Sequence, residues 1–133
     1  MERYLLDTNL VSQLVKGHAL VASPLLAVPM EALCISVVTE AELLFGLARR
    51  PDAKRLHMLV RGFLQRVDVL PWDRHCADVY GTLRAQMEEG GKVMGSLDML
   101  IAAHALAAEC TLVSNDRAFA NVPGLVLQDS TVA

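Results

Sequence analysis

Short, largely apolar runs set between longer stretches of helical periodicity constrain this chain more than any other feature. Four stand out, at residues 4–6, 33–36, 67–70 and 111–114. None contains Gly or Pro, and each gives way within a few residues to a polar side chain and a helix-period segment. Runs of this kind predict strands buried in a parallel sheet. Strands alternating with helices predict an α/β sandwich, its sheet mostly parallel and covered on both faces. The first run, Tyr4-Leu5-Leu6, ends directly on Asp7. That places an acid at the carboxyl end of a strand, where open α/β sheets bind their ligands. Asp is equally a preferred helix N-cap, so Asp7 alone leaves both readings open.

Taken in order, a short helix is expected at 10–15, ending near Gly17, and a second at 18–28, stopped by Pro29. After the strand at 33–36, residues 37–50 read as a helix, with Val38, Ala41, Leu44, Phe45 and Ala48 as its apolar face. Pro51 ends it, and 52–65 repeats the pattern through Leu56, Leu59, Val60 and Phe63, giving an antiparallel helix pair. The strand at 67–70 precedes a long helix over 74–89, capped by Asp73 and ended by Gly90-Gly91. Ser96 is expected to cap a helix over 97–108. The strand at 111–114 leads to a helical turn from Asp116 to Phe119 and an edge strand at 125–127.

The length of 133 residues fits one domain over 1–133, and a hydrophobic content of 53% supports a full core. No segment approaches the roughly 20 apolar residues that span a bilayer, and no leader pattern is visible. Cys34, Cys76 and Cys110 are odd in number and widely spaced, which suits reduced, buried thiols and a cytoplasmic setting. The formal net charge of −3 argues against a polyanionic partner. Yet Arg49, Arg50, Lys54, Arg55, Arg61 and Arg66 face a single nearby acid, Asp52. Such a patch can steer a polyanion, or it can be a solvated helical face.

Four acids fall at strand ends or helix starts: Asp7, Glu42, Asp98 and Asp116. Each has a structural alternative. Thr39 and Glu42 match a capping box, Asp98 suits the dipole of a first helical turn, and Asp116 suits an N-cap. Caps, however, have no need to converge, and a parallel sheet brings all four to one edge. Two carboxylates 4 Å apart repel by about 4 kcal/mol at an effective dielectric of ~20. A cluster must therefore hold protons or recruit cations, and hard oxygen ligands favour magnesium or manganese. His104 stands six positions past Asp98, turned away from that face, and reads as a packing residue. Trp72 and Phe45 could stack a base, but core packing is the preferred role for both.

These residues resemble a known family. Leu5-Leu6-Asp7-Thr8-Asn9, the stretch from Ile35 through Glu42 to Leu43, the stretch from Gly95 through Asp98 to Ala105, and Ser114-Asn115-Asp116-Arg117-Ala118-Phe119 are similar to the four motifs of PIN-domain ribonucleases, specifically VapC-type toxins of VapBC pairs. The resemblance covers essentially the whole chain and implies a PIN-like three-layer sandwich. It implies Asp7, Glu42, Asp98 and Asp116 as catalytic acids, with Asp7, Asp98 and Asp116 holding Mg2+ or Mn2+. Thr8, Asn9, Ser96 and Asn115 follow as residues that orient carboxylates or touch substrate. The resemblance further implies cleavage of RNA, often tRNA, homodimerisation, and inhibition by a VapB antitoxin. It makes Arg49, Arg50, Lys54 and Arg55 candidates for RNA backbone contacts.

Two other classes stay in view. A phosphatase could use Asp7 as nucleophile, although that chemistry wants a second acid where the chain has Asn9. A non-catalytic interaction module would use the acids only as caps.

Overall fold

The computed structural model describes residues 2–17 and 28–129. Strands β1 (Tyr4–Leu6), β2 (Leu33–Ser36), β3 (Asp68–Leu70), β4 (Thr111–Ser114) and β5 (Leu127–Asp129) form one sheet in the order β3-β2-β1-β4-β5. Every neighbouring pair is parallel. The helices among the described residues are α1 (Thr8–Val15), α2 (Val37–Ala48), α3 (Lys54–Arg66), α4 (Arg74–Glu89) and α5 (Ser96–Ala107). The helix expected at 18–28 falls outside the described residues except for Val28, which is not helical. No described helix is long and apolar enough to cross a membrane.

The pleat explains the three layers. Successive strand residues point to opposite faces, so Leu5, Cys34 and Leu112 join Leu83, Met87 and Ile101 of α4 and α5 in one core. Their neighbours Leu6, Ile35 and Val113 join Leu10, Leu43, Leu47, Val60 and Phe63 of α1, α2 and α3 in the other. Leu5, Leu6, Ile35 and Leu112 are fully buried, each contributing about 1.5–3 kcal/mol relative to exposure. Strands with two buried faces read as continuous apolar runs, which is why they were visible in the sequence.

Three local expectations are corrected. The buried stripe of α2 is Thr39, Leu43 and Leu47, while Ala41, Leu44, Phe45 and Ala48 are exposed, Phe45 by 62%. The helix carries two overlapping apolar stripes, and the one completed by buried Thr39 turns toward the sheet. Helix α5 is capped by Gly95, without a side-chain bond, so Ser96 is its first residue rather than its cap. The last strand begins at Leu127, because Pro123-Gly124 makes a turn with Gly124 at φ +76° and the Leu125 amide reaching the Val122 carbonyl. That φ favours glycine.

The helix pair is confirmed and tied at its turn. His57 Nε2 of α3 lies 3.1 Å from the Leu47 carbonyl and 2.9 Å from that of Arg50, so one ring nitrogen serves the carboxyl end of α2.

Candidate active site

The sheet order fixes where a site belongs. From β1 the chain moves to β2 and β3 on one side, while β4 and β5 lie on the other. The carboxyl ends of β1 and β4 therefore flank the point where strand order reverses, the crevice that open α/β sheets use for ligands. Asp7 follows β1 and Asp116 follows β4.

Asp7 is only 4% exposed. Its Oδ1 accepts the Leu10 amide at 2.8 Å, capping α1, and its Oδ2 accepts the Ser114 hydroxyl at 2.5 Å. Asp7 is thus both a cap and a strand-end acid, and the two readings coexist. Ser114 Oγ also accepts the Asp116 amide at 3.0 Å, and Asp116 Oδ1 caps the following helical turn by accepting the Ala118 amide at 2.9 Å. One buried hydroxyl thereby links two of the acids.

Glu42 is held from α1. Thr8 Oγ1 donates to Glu42 Oε1 at 2.7 Å and lies 3.1 Å from Thr39 Oγ1. A hydroxyl has one proton. With Thr8's proton committed to Glu42, Thr39 is the donor in the second bond. The relay runs from fully buried Thr39 through Thr8 to the carboxylate. The capping box is absent, since Ser36 caps α2 by accepting the Val38 amide at 3.1 Å.

Asp98 is the third residue of α5 and half-buried. Burial raises its pKa, and repulsion from Asp116 and then from Asp7 adds to the effect. Burial likewise raises that of Asp7, opposed by the bonds from Ser114 and Leu10 and reinforced by Asp116 and Glu42. Asp7 and Asp98 thus each feel Asp116, and Asp7 also feels Glu42, although these acids are far apart in sequence. Negative charge is costly there, which is the condition a cation relieves.

The donor set suits a hard divalent ion. It is all oxygen, and each Asp7 oxygen keeps a lone pair beyond the bond described. Among the described residues no group of three or more His, Cys, Asp or Glu side chains stands ready-made to hold a metal. Water would therefore have to complete the shell, as magnesium commonly requires.

The remaining expected residues fall in different places. Asn9 is exposed on the first turn of α1, and Asn115 is exposed beside Asp116. Ser96 is exposed and lines a cleft with Tyr80, Arg84 and Met94. Arg49, Arg50, Lys54 and Arg55 are all exposed, and Arg49 and Arg50 line the same cavity as Thr8 and Glu42. Phe45, expected in the core, lies under the Arg49 guanidinium at 5.6 Å. Trp72 is half-buried, donates to the Leu100 carbonyl and meets Tyr80 edge-on.

Sequence reasoning missed Ser114 and Thr39 as groups that hold the acids, and Ser36 as the cap of α2. Ser114 and Ser36 are the last residues of their strands, and a hydroxyl closing an apolar run at the ligand edge was the available signal. Ser36 Oγ is 2.7 Å from Nδ1 of buried His104. Burial lowers the His104 pKa, and the contact joins α5 to the start of α2. His104 is a packing residue, as its spacing predicted.

Comparison with known proteins agrees with this fold. Residues 4–125 match the PIN domain family. The chain is 30% identical over 129 residues to Ribonuclease VapC2 of Rickettsia felis, covering 95% of this chain and 96% of that one. It is 32% identical over 130 residues to the tRNA(fMet)-specific endonuclease VapC of Shigella flexneri, covering 97% and 98%. The crystal structure of DNA-bound VapBC from Salmonella typhimurium superposes with a TM-score of 0.89 at 30% identity, covering 98% of this chain and 99% of that one.

Proposed function

The chain belongs to the PIN domain family, and from that premise we propose that it is a VapC-type toxin, a divalent-cation-dependent endoribonuclease neutralised by a VapB-type antitoxin. The observation that carries the reading is the placement of Asp7 and Asp116 directly after β1 and β4, at the crevice where strand order reverses, with burial and repulsion from Asp116 raising Asp7 and Asp98. The relatives named ribonuclease and tRNA(fMet)-specific endonuclease support RNA, and tRNA in particular, as substrate.

In this reading Asp7, Asp98 and Asp116 hold Mg2+ or Mn2+. When bound, the ion supplies Lewis-acid polarisation of a phosphoryl oxygen and a more acidic bound water. Glu42, oriented by Thr8, aligns the attacking water and takes its proton. Hydrolysis then forms a bond from water oxygen to phosphorus and breaks the bond to the leaving ribose oxygen. Ser114 aims Asp7 through its donated bond and partly offsets the burial that disfavours its charge. Asn9 and Asn115, exposed beside two of the acids, are placed to touch substrate, while Ser96 at the start of α5 could reach a phosphate. Exposed Arg49, Arg50, Lys54 and Arg55 would hold RNA backbone, making affinity fall with salt.

The exposed apolar residues Leu44 and Phe45 of α2 and Met58 of α3 suit the groove-bound helix of a protein partner. That fits the VapBC complexes among the structural relatives. A homodimer and a cytoplasmic setting complete the proposal.

The test is incubation of antitoxin-free protein with total tRNA and Mg2+, alongside Asp7→Asn and a chelator. Discrete fragments that vanish in both controls are expected. Cleavage that survives Asp7→Asn would refute the assignment of the site.

A further inference from the structure

The edge of the acidic site continues into a cavity of about 190 Å³ between α1, α2 and α3. Buried Leu43 and Leu47 form its floor, and Thr8 and Glu42 belong to both the cavity and the acid cluster. Exposed Lys16, Arg49 and Arg50 ring it. The volume is below the roughly 300–1,000 Å³ of sites for drug-sized ligands, so it admits one ring or one side chain.

Gly46 is the second observation. It lines this cavity from the interior of α2, where glycine costs about 1 kcal/mol relative to alanine. Its backbone is not in the positive-φ region, and a Cβ built on it would meet nothing within 4 Å. Neither conformation nor packing of the described residues calls for glycine there. What its missing side chain leaves open is the cavity, a use glycine serves where a ligand approaches the backbone closely.

We propose that this cavity receives a single unpaired nucleobase beside the phosphate being cut, and is the base-selecting subsite of the chain. The inference rests on the ribonuclease reading and extends it to specificity. Continuity through Thr8 and Glu42 puts the base next to the scissile bond. The apolar floor suits the flat faces of a base, and Ser12, also on the wall, offers a hydroxyl to its polar edge. Among the described lining residues, three cations stand against one acid, Glu42, which favours the phosphates on either side of that base and opposes a cationic side chain. Sequence-specific RNA recognition reads splayed, unstacked bases in this manner.

The experiment uses RNA hairpins with a randomised loop, Mg2+ and the full-length protein, with product ends sequenced. Wild type is expected to prefer one base, or one class of base, by about tenfold or more at one position flanking the cut. Gly46→Leu, which fills the cavity, should cut more slowly and reduce that preference to about twofold or less. Gly46→Ala is the folding control, with a Tm at or above wild type. An unchanged preference in a folded Gly46→Leu overturns the proposal, as does a wild-type enzyme indifferent to the flanking base. If Gly46→Leu keeps the preference but escapes inhibition by a VapB-type partner, the cavity belongs to the protein partner, and the proposal also fails. A wild type that leaves both the hairpins and total tRNA intact refutes the ribonuclease reading itself; cleavage of tRNA with no flanking-base preference refutes only the subsite.

Discussion

Ser114 Oγ lies 2.5 Å from Asp7 Oδ2, across the boundary between two neighbouring parallel strands. The same oxygen accepts the Asp116 amide, so the spacing of two acids depends on one buried hydroxyl. This bond opposes the burial that raises Asp7.

Ser114→Ala therefore removes a donor to the carboxylate and an acceptor for the Asp116 amide. Stability should drop by about 1–3 kcal/mol, the cost of leaving buried polar groups unpaired. The acidic limb of the pH–rate profile should move to higher pH, because Asp7 protonates more readily. Ser114→Thr should restore the limb. A profile that does not move in Ser114→Ala contradicts this role.

Asp7 also gives stability an unusual pH dependence. Its folded pKa lies above the unfolded value, so its charge is a penalty on the native state. That penalty is fully present above the folded pKa and disappears below the unfolded one, about 3.9. Asp7→Asn should melt higher than wild type at neutral pH in the absence of divalent ions. The gap should close as pH falls toward about 4. Asp98, raised for similar reasons, should behave alike. A variant less stable than wild type at neutral pH would show that the carboxylate helps the metal-free fold.

The relay to Glu42 predicts a hierarchy. Thr8→Val breaks the bond to the carboxylate, while Thr39→Val removes only the donor behind it. Outer-shell groups of this type are worth about 10- to 100-fold. The turnover of Thr8→Val should fall within that range, and that of Thr39→Val by less, with KM little changed in both. Thr39→Ser should recover activity. Unchanged turnover in Thr39→Val, or a loss confined to Thr39→Ser, would mean that the methyl group, not the hydroxyl, is what matters.

Cys34 and Cys110 have Sγ atoms 3.9 Å apart in the core, yet they should resist oxidation to a disulfide. Cys34 pairs with Leu5 on one side of β1, and Cys110 adjoins Thr111, which pairs with Tyr4 on the other. Two strand spacings separate their backbones by about 9–10 Å, beyond the ~7 Å that a disulfide tolerates. The bond to Cys110 and burial together push the Cys34 thiol up. A thiol reagent should modify these residues only on unfolding, and Tm should be the same with and without reductant. Rapid modification of the native protein would contradict the placement of Cys34 and Cys110 in a closed core.

The sheet was legible because β1, β2 and β4 are largely buried on both faces and announce themselves as apolar runs; β5, half-buried and following a Pro-Gly turn, was displaced by two residues. The positions of Asp7 and Asp116 after strand ends and of Asp98 in a first helical turn were legible because strands and helices alternate along the chain. The register of α2 was not. Its apolar residues form two stripes, and the choice between them rests on buried Thr39, whose hydroxyl meets Thr8 of another helix. Ser114 escaped because a hydroxyl closing an apolar run marks the ligand edge without saying which acid it bonds, here Asp7 on the neighbouring strand's end. Phe45, read as core, is exposed because the second stripe faces outward.

The central claim is that these acids gather to hold a divalent cation. Its most direct test is thermal unfolding under manganese titration, comparing wild type with Asp7→Asn and Asp98→Asn. A ligand that binds only the native state stabilises by about 2.7 kcal/mol at a hundredfold its Kd. Wild type should show a saturable rise in Tm with manganese, and both variants should lose most of it. No rise, or an equal rise in all three proteins, would contradict the account.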